Sequence, residues 1–236
     1  MKKTIPSNLD QKLIDNLLIL VRECMLEALK KKKKQIFTKA DGTIITDTDK
    51  NIHNIISNRL LELSPEIPII SEEGNFSEDS FLQKIYWLID PIDGTSSFVK
   101  GKDSYTVNIA LIENGFPCLG VIANPPSNTI WYGSLNKAFV IKDNIKHNIS
   151  IKPLNKDYIR IITSKNLDYD TKEFIKKFFN AKVTSLSSSI KFCKLAEGKA
   201  DIYPRLQGIN KWDIAAGDAI LRAAGGILIN SQGKFF

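Results

Sequence analysis

The chain has 236 residues, 43% of them hydrophobic and 25% charged, which suits one large or two small globular domains with an ample core and excludes a disordered or fibrous chain. No apolar run approaches the length of a membrane span, so no transmembrane segment is expected. The formal net charge of +7 favours acidic partners: nucleic acid, anionic lipid or phosphorylated small molecules.

The first residues, Met1-Lys2-Lys3-Thr4, are basic, but Pro6, Asn8, Asp10 and Asp15 interrupt any signal-peptide core, so the expected location is the cytoplasm, with peripheral contact at the inner membrane face left open. Leu9 to Lys33 carries Leu13, Leu17, Leu20, Val21, Cys24, Met25 and Ala28 at helical spacing. The Lys30 to Lys34 run closes this helix, where cations complement its dipole and face water. No aromatic residues interleave it, so no nucleic-acid partner is expected. A glycine-containing turn at Asp41-Gly42 leads into β-branched residues, and Thr46-Asp47-Thr48-Asp49 precedes a helix over Asn51 to Leu63 with Ile52, Ile55, Ile56 and Leu60 as its stripe. Asp47 or Asp49 either caps that helix or offers a carboxylate to a metal site. Ile67 to Ile70 reads as a short strand ending at Ser71-Glu72-Glu73-Gly74. Paired glutamates at a strand-to-loop corner are not routine helix surface pairs. A short helix around Asp79 to Gln83 follows.

The stretch Trp87 to Phe98, W-L-I-D-P-I-D-G-T-S-S-F, organises the rest. Ile85 to Ile89 reads as a buried strand, and Pro91, which lacks an N–H, is expected to stop it. Asp90 and Asp93 then converge at the strand end around the Ile92 carbonyl. Such oxygen ligands suit a hard cation. Gly94, Thr95 and Ser96 are small enough for their N–H groups to approach an anion at a helix start. A plain Asp-Pro…Asp-Gly turn is the competing reading. Three scattered cysteines and two histidines exclude a disulfide framework and a zinc site, so any metal site must be built from carboxylates.

Tyr105 to Ile112 alternates polar and apolar residues as a strand. Cys118 to Ala123, Thr129 to Tyr132, Ala138 to Lys142 and the region of Ile149 and Ile151 continue an antiparallel meander. Beyond a boundary near Lys152 to Asp157 the pattern changes. Ile159 to Thr163, Val183 to Leu186, Asp201 to Tyr203 and Ile227 to Ile229 read as strands. Thr171 to Phe179, Ser189 to Glu197 and Asp213 to Ala224 read as helices. Asp213, at a helix start rich in small residues, either caps the helix or holds a cation. The expected organisation is an α+β region over 1–155 and an α/β region over 156–236, together one compact unit.

Asp49, Ser71-Glu72-Glu73, Asp90-Pro91-Ile92-Asp93-Gly94-Thr95 and Trp212-Asp213-Ile214-Ala215-Ala216-Gly217 occur in the order and spacing of the inositol monophosphatase superfamily, which the chain resembles from about Leu9 to Gly233. It looks most like the CysQ-type branch of 3'(2'),5'-bisphosphate nucleotidases in Tyr105 to Ile112, Leu119 to Ile122, Ser188 to Cys193 and Tyr203-Pro204-Arg205. Leu206 stands where true inositol monophosphatases carry a glutamate. Ser96-Ser97 replace the branch's Lys-Glu, and Gly208-Ile209-Asn210 replace its Gly-Pro-Thr. Relatives continue past Phe236, so a weaker closing edge of the second sheet is expected.

The resemblance implies a layered α-β-α-β-α sandwich. It implies two or three Mg²⁺ ions held by Glu72, Asp90, Asp93, Asp213 and the Ile92 carbonyl, with Glu73 in support and Li⁺ as an inhibitor. Thr95, paired with Asp49, would orient and deprotonate the attacking water. Gly94, Thr95 and Ser96, with the Ile92, Asp93 and Asp213 positions, would hold the phosphate. Ser188, Lys191 and Arg205 would hold the rest of a small nucleotide, with Lys191 alternatively a solvated helix residue. The implied reaction releases the 3'-phosphate of 3'-phosphoadenosine 5'-phosphate, by a monomer or homodimer. An inositol-phosphate or sugar-phosphate phosphatase and a non-catalytic phosphate- or RNA-binding protein are the alternatives.

Overall fold

The computed structural model describes residues 11–30, 35–39, 42–134, 136–155 and 157–234. Lys31 to Lys34, Asp41, Phe236 and the outer parts of the first predicted helix lie outside them.

Helix α1 (Gln11–Ala28) and helix α2 (Asp47–Leu63) bury their predicted stripes against one face of a large sheet, with Leu17, Leu20, Val21, Cys24, Ile52, Ile56 and Leu60 fully enclosed. Between them a hairpin pairs β1 (Ile36–Thr38) with β2 (Ile44–Thr46). The α2 helix starts four residues earlier than predicted, because Thr46 caps it and Asp49 completes the reciprocal capping box.

The large sheet runs β3 (Ile69–Ser71), β4 (Ile85–Asp93), β5 (Thr106–Glu113), β6 (Phe116–Asn124), β7 (Thr129–Ser134), β8 (Lys137–Lys142) and β9 (Ile145–Ile149) in spatial order. The β3–β4 pair is parallel and the others antiparallel. Pro91 does not end β4. Asp90 pairs with Asn108 and Asp93 with Thr106, so three steps on β4 face two on β5. The extra residue is a bulge, and a bulge accommodates a residue with no ladder N–H. Nor does β5 alternate: every residue from Thr106 to Ile112 is buried, because helices cover both faces of the sheet.

The far face is covered by α5 (Ile190–Ala196) and α6 (Lys211–Ala223). Contact is close. A Cβ on Gly120 of β6 would lie 2.3 Å from the Ala216 carbonyl oxygen of α6. Gly120→Ala is therefore expected to destabilise the fold by about 1–3 kcal/mol through overpacking, read as a lowered thermal midpoint. Beyond α5 and α6 lies a parallel pair, β10 (Ile159–Thr163) and β11 (Ala181–Ser185), joined by the crossover helix α4 (Tyr169–Lys176). Ile162, Phe192, Leu195 and Leu221 fill the space between the layers. This is the layered sandwich expected from the sequence. Two predicted strands are absent. Asp201 to Tyr203 makes a single bridge, Ile202 to Ile161, and Ile227 to Ile229 forms no strand, only a bridge residue at Ile229, with Ile227 and Ile229 exposed.

Candidate active site

The site assembles where four chain segments meet. The Glu72 N–H donates to the Ile89 carbonyl at 3.2 Å, which sets the end of β3 beside Asp90 on β4. The bulge at Pro91 turns the last residues of β4. Gly94 then adopts φ +90°, and a Cβ there would lie 3.1 Å from the Ser104 carbonyl oxygen; this turn starts the short helix α3 (Thr95–Val99). Asp213 arrives in the first turn of α6. The N-cap of α6 is Asn210 rather than Asp213; the Asp213 Oδ2 accepts the Asn210 N–H at 3.1 Å, closing a capping box, while its carboxylate also reaches the site.

Carboxylate oxygens of Glu72, Asp90 and Asp213 lie within 4.8 Å of one another. Asp90 is 1% exposed, and neither of its oxygens meets a hydrogen-bond donor among the described residues. Burial, then the charges of Glu72, Asp93 and Asp213, push its carboxyl well above the usual range. Burial, and next Asp93, raise Asp213 to about 7. Burial raises Glu72 as well, against the opposing charge of Lys39. A buried carboxylate that meets no donor among the described residues, surrounded by other carboxylates, makes a set of hard oxygen donors suited to a cation. The residues fit Mg²⁺.

Asp93 stands beside this cluster, and its Oδ2 lies 2.5 Å from Ser189 Oγ. Ser189 also receives Asn108 Nδ2 at 3.0 Å and sits 3.0 Å from the Asp213 carbonyl, tying β4, β5 and α6 together. The Ile92 carbonyl accepts from Thr95 Oγ1 at 2.9 Å, while the Ile92 side chain is core. Thr95 Oγ1 lies 3.3 Å from Asp49 Oδ1. The other Asp49 oxygen accepts from the Thr46 N–H and hydroxyl. Burial raises the Asp49 carboxyl. Asp49 thus holds both the cap and the Thr95 contact, whereas Asp47 takes the Gln35 N–H. Lys39 Nζ bridges Glu72 at 3.2 Å and Glu73 at 2.8 Å.

A cleft of about 580 Å³ opens beside the cluster, lined by Asp93, Gly94, Ser96, Ser188, Lys191, Arg205 and Asp213 among others. Lys191 is not a solvated helix residue: it is 5% exposed, donates to the Ser188 carbonyl at 2.6 Å and lies over the Tyr203 ring. Burial lowers its pKa to about 8. Ser188 has φ +59°, and its buried hydroxyl finds no partner among the described residues. Arg205 is exposed and held by Ser164 Oγ and the Gly208 carbonyl. Leu206 does not line the cleft. It is 43% exposed, and its N–H donates to Thr171 Oγ1. The apolar wall is built instead by Phe192, Tyr203 and Ile209.

Sequence reasoning missed Lys39, Ser189 and Asn108 as site residues. Asn108 left a trace, as one amide inside the apolar run of β5. Ser189 read as an ordinary helix start, and nothing local marked Lys39.

The sequence model of the inositol monophosphatase family matches residues 10–236. The chain belongs to this family. It is 37% identical over 205 residues to the 3'(2'),5'-bisphosphate nucleotidase CysQ of Escherichia coli CFT073, covering 86% of this chain and 82% of that one. It is likewise 37% identical over 226 residues to the CysQ of Buchnera aphidicola from Acyrthosiphon pisum, covering 93% and 85%. Among solved structures, CysQ of Bacteroides thetaiotaomicron, a bacterial member of the inositol monophosphatase family, superposes with a TM-score of 0.75 at 31% identity, covering 90% of this chain and 84% of that one. Inositol monophosphatases use Mg²⁺ and are inhibited by Li⁺, which agrees with an all-oxygen donor set. No helix among the described residues is long and apolar enough to cross a membrane.

Proposed function

We propose that the chain is a Mg²⁺-dependent phosphatase that releases the 3'-phosphate of 3'-phosphoadenosine 5'-phosphate, giving AMP and phosphate. The observation that carries this reading is Asp90, which meets no donor among the described residues, clustered with Glu72 and Asp213 beside a cleft lined by Lys191 and Arg205. The 37% identity to CysQ nucleotidases supports the substrate class.

Glu72, Asp90, Asp93, Asp213 and the Ile92 carbonyl would hold the metal, as two or three ions. When bound, Mg²⁺ neutralises phosphate charge and acidifies water. Thr95 holds the attacking water and takes its proton as the Thr95 hydroxyl proton passes to Asp49. The water oxygen bonds to phosphorus, the P–O3' bond breaks, and the ribose oxygen leaves with a proton from solvent. The Gly94, Thr95 and Ser96 N–H groups steady the phosphate. Ser188, Lys191 and Arg205 hold the 5'-phosphate, and Phe192, Tyr203 and Ile209 offer apolar surface to the nucleoside. Regions 1–155 and 156–236 act as one catalytic unit, because Asp213 of the second joins Glu72 and Asp90 of the first.

The test is Mg²⁺-dependent phosphate release from 3'-phosphoadenosine 5'-phosphate and inositol 1-phosphate side by side, with and without Li⁺. Preference for the nucleotide with Li⁺ inhibition is expected; preference for inositol phosphate overturns the substrate assignment. Lys191→Met keeps the stem's volume and removes the charge. It is expected to raise KM for the bisphosphate about 10- to 100-fold, the scale of one charge-assisted hydrogen bond. Substrates with a single phosphate should change far less.

A further inference from the structure

The carboxylate cluster draws Glu72 and Asp213 from segments far apart in the chain. Glu72 follows β3, and the backbone from Asn75 to Ser77 belongs to no helix or strand. Like charges push this segment away from α6, and Lys39 draws Glu72 and Glu73 toward the β1–β2 hairpin. Besides the Glu72 N–H bond to the Ile89 carbonyl, a ring contact opposes both. Phe76, four residues after Glu72, packs edge-on against Trp212, the neighbour of Asp213, with ring centroids 5.5 Å apart. Phe76 also packs on Phe81 at 5.5 Å, and Phe81 on the buried Tyr86 at 6.0 Å. Lys211 Nζ sits 3.8 Å above the Phe81 ring. A row of four rings therefore ties the Glu72 segment to β4 and to the first turn of α6. The buried Trp212 indole N–H meets no acceptor among the described residues, so ring packing, rather than a hydrogen bond, makes this junction.

We propose that Phe76 is a positioning residue for the metal site: its packing on Trp212 holds the Glu72 carboxylate within reach of Asp213. This rests on the metal-dependent reading of the site. Phe76 is 36% exposed, so its removal opens a groove to water instead of a core cavity, and the fold should persist.

The test is calorimetric titration of the full chain with MgCl₂ after chelation and dialysis, for the wild type, Phe76→Ala, Phe76→Leu and Phe76→Tyr. Phe116→Ala serves as control, Phe116 being 53% exposed at the start of β6. Phe76→Ala should weaken Mg²⁺ affinity about 10-fold, the lower end for residues supporting metal ligands. Phe76→Leu should lie between, Phe76→Tyr should match the wild type, and the control should not shift. Wild-type affinity in both Phe76→Ala and Phe76→Leu overturns the proposal, as does an equal loss in Phe116→Ala. Failure of the wild type itself to bind Mg²⁺ overturns the reading of the site, and the proposal with it.

Discussion

Asp90→Asn is expected to abolish measurable phosphate release while raising the thermal midpoint of the chelated protein. Both halves follow from one environment. Asp90 is 1% exposed, meets no donor on either oxygen among the described residues and lies amid Glu72, Asp93 and Asp213. An ionised carboxylate there is stabilised only by a bound cation; an amide of the same shape relieves the repulsion but gives up the charge. The activity loss should be about 10³-fold, the upper end of the range for removing one preorganised group that stabilises charge in the reaction. The stability gain should appear as about 2–4 °C for each kcal/mol recovered. The sign with pH is fixed by the raised pKa values of Asp90, Glu72 and Asp213. The folded chain binds these protons more tightly than the unfolded chain, so stability falls as pH rises from the ordinary carboxylate range, near pH 4, through the value of about 7 for Asp213. In chelated wild-type protein the midpoint should drop between pH 5 and 8, and Mg²⁺ should restore it. Asp90→Asn should show a smaller drop. Scanning calorimetry and a phosphate assay on the same samples check this; an active variant, or one with a lowered midpoint, refutes the assignment.

The parts of this site that the sequence displayed are those that chain continuity holds together. Asp90, Ile92, Asp93 and Gly94 to Ser96 lie within seven residues, and a buried strand followed by glycine can present them only at one sheet end. Asp213 was legible because small residues behind it forced α6 onto the sheet, as Gly120 against Ala216 shows. The bulge was not legible, since Pro91 reads locally as a strand end and only the register with β5 makes it an interior residue. Lys191 gave the reverse difficulty. A lysine in a helix reads as solvated, yet packing against Tyr203 and the Ser188 carbonyl encloses it. Leu206 resembled a cleft residue by position, but the backbone turns after Arg205 so that its N–H meets Thr171. Lys39 and Ser189 reach the site through contacts that span 34 and 96 residues, and no local pattern encodes pairs so distant.

Asp49→Asn separates the two readings that the sequence left open at that position. The residue completes the capping box of α2 through one oxygen and approaches Thr95 through the other. If the capping box were its whole contribution, asparagine would serve nearly as well, since Thr46 remains the N-cap and an amide oxygen at position 49 can still accept the Thr46 N–H, and even full loss of a cap costs about 1 kcal/mol. Proton transfer is different. The carboxylate accepts the Thr95 hydroxyl proton; the amide oxygen is a far weaker base, and an amide N–H turned toward Thr95 would donate where acceptance is required. Stability should therefore change by no more than about 1 kcal/mol, while kcat at saturating Mg²⁺ falls about 10²- to 10⁴-fold, the range for general-base catalysis. Thr95→Ala should lose a similar factor, and the double variant should lose little more than either alone, because the two groups act on one proton. Denaturation curves measured beside kcat decide the matter: a variant destabilised yet fully active leaves Asp49 as a cap alone, and the water must then be activated without it.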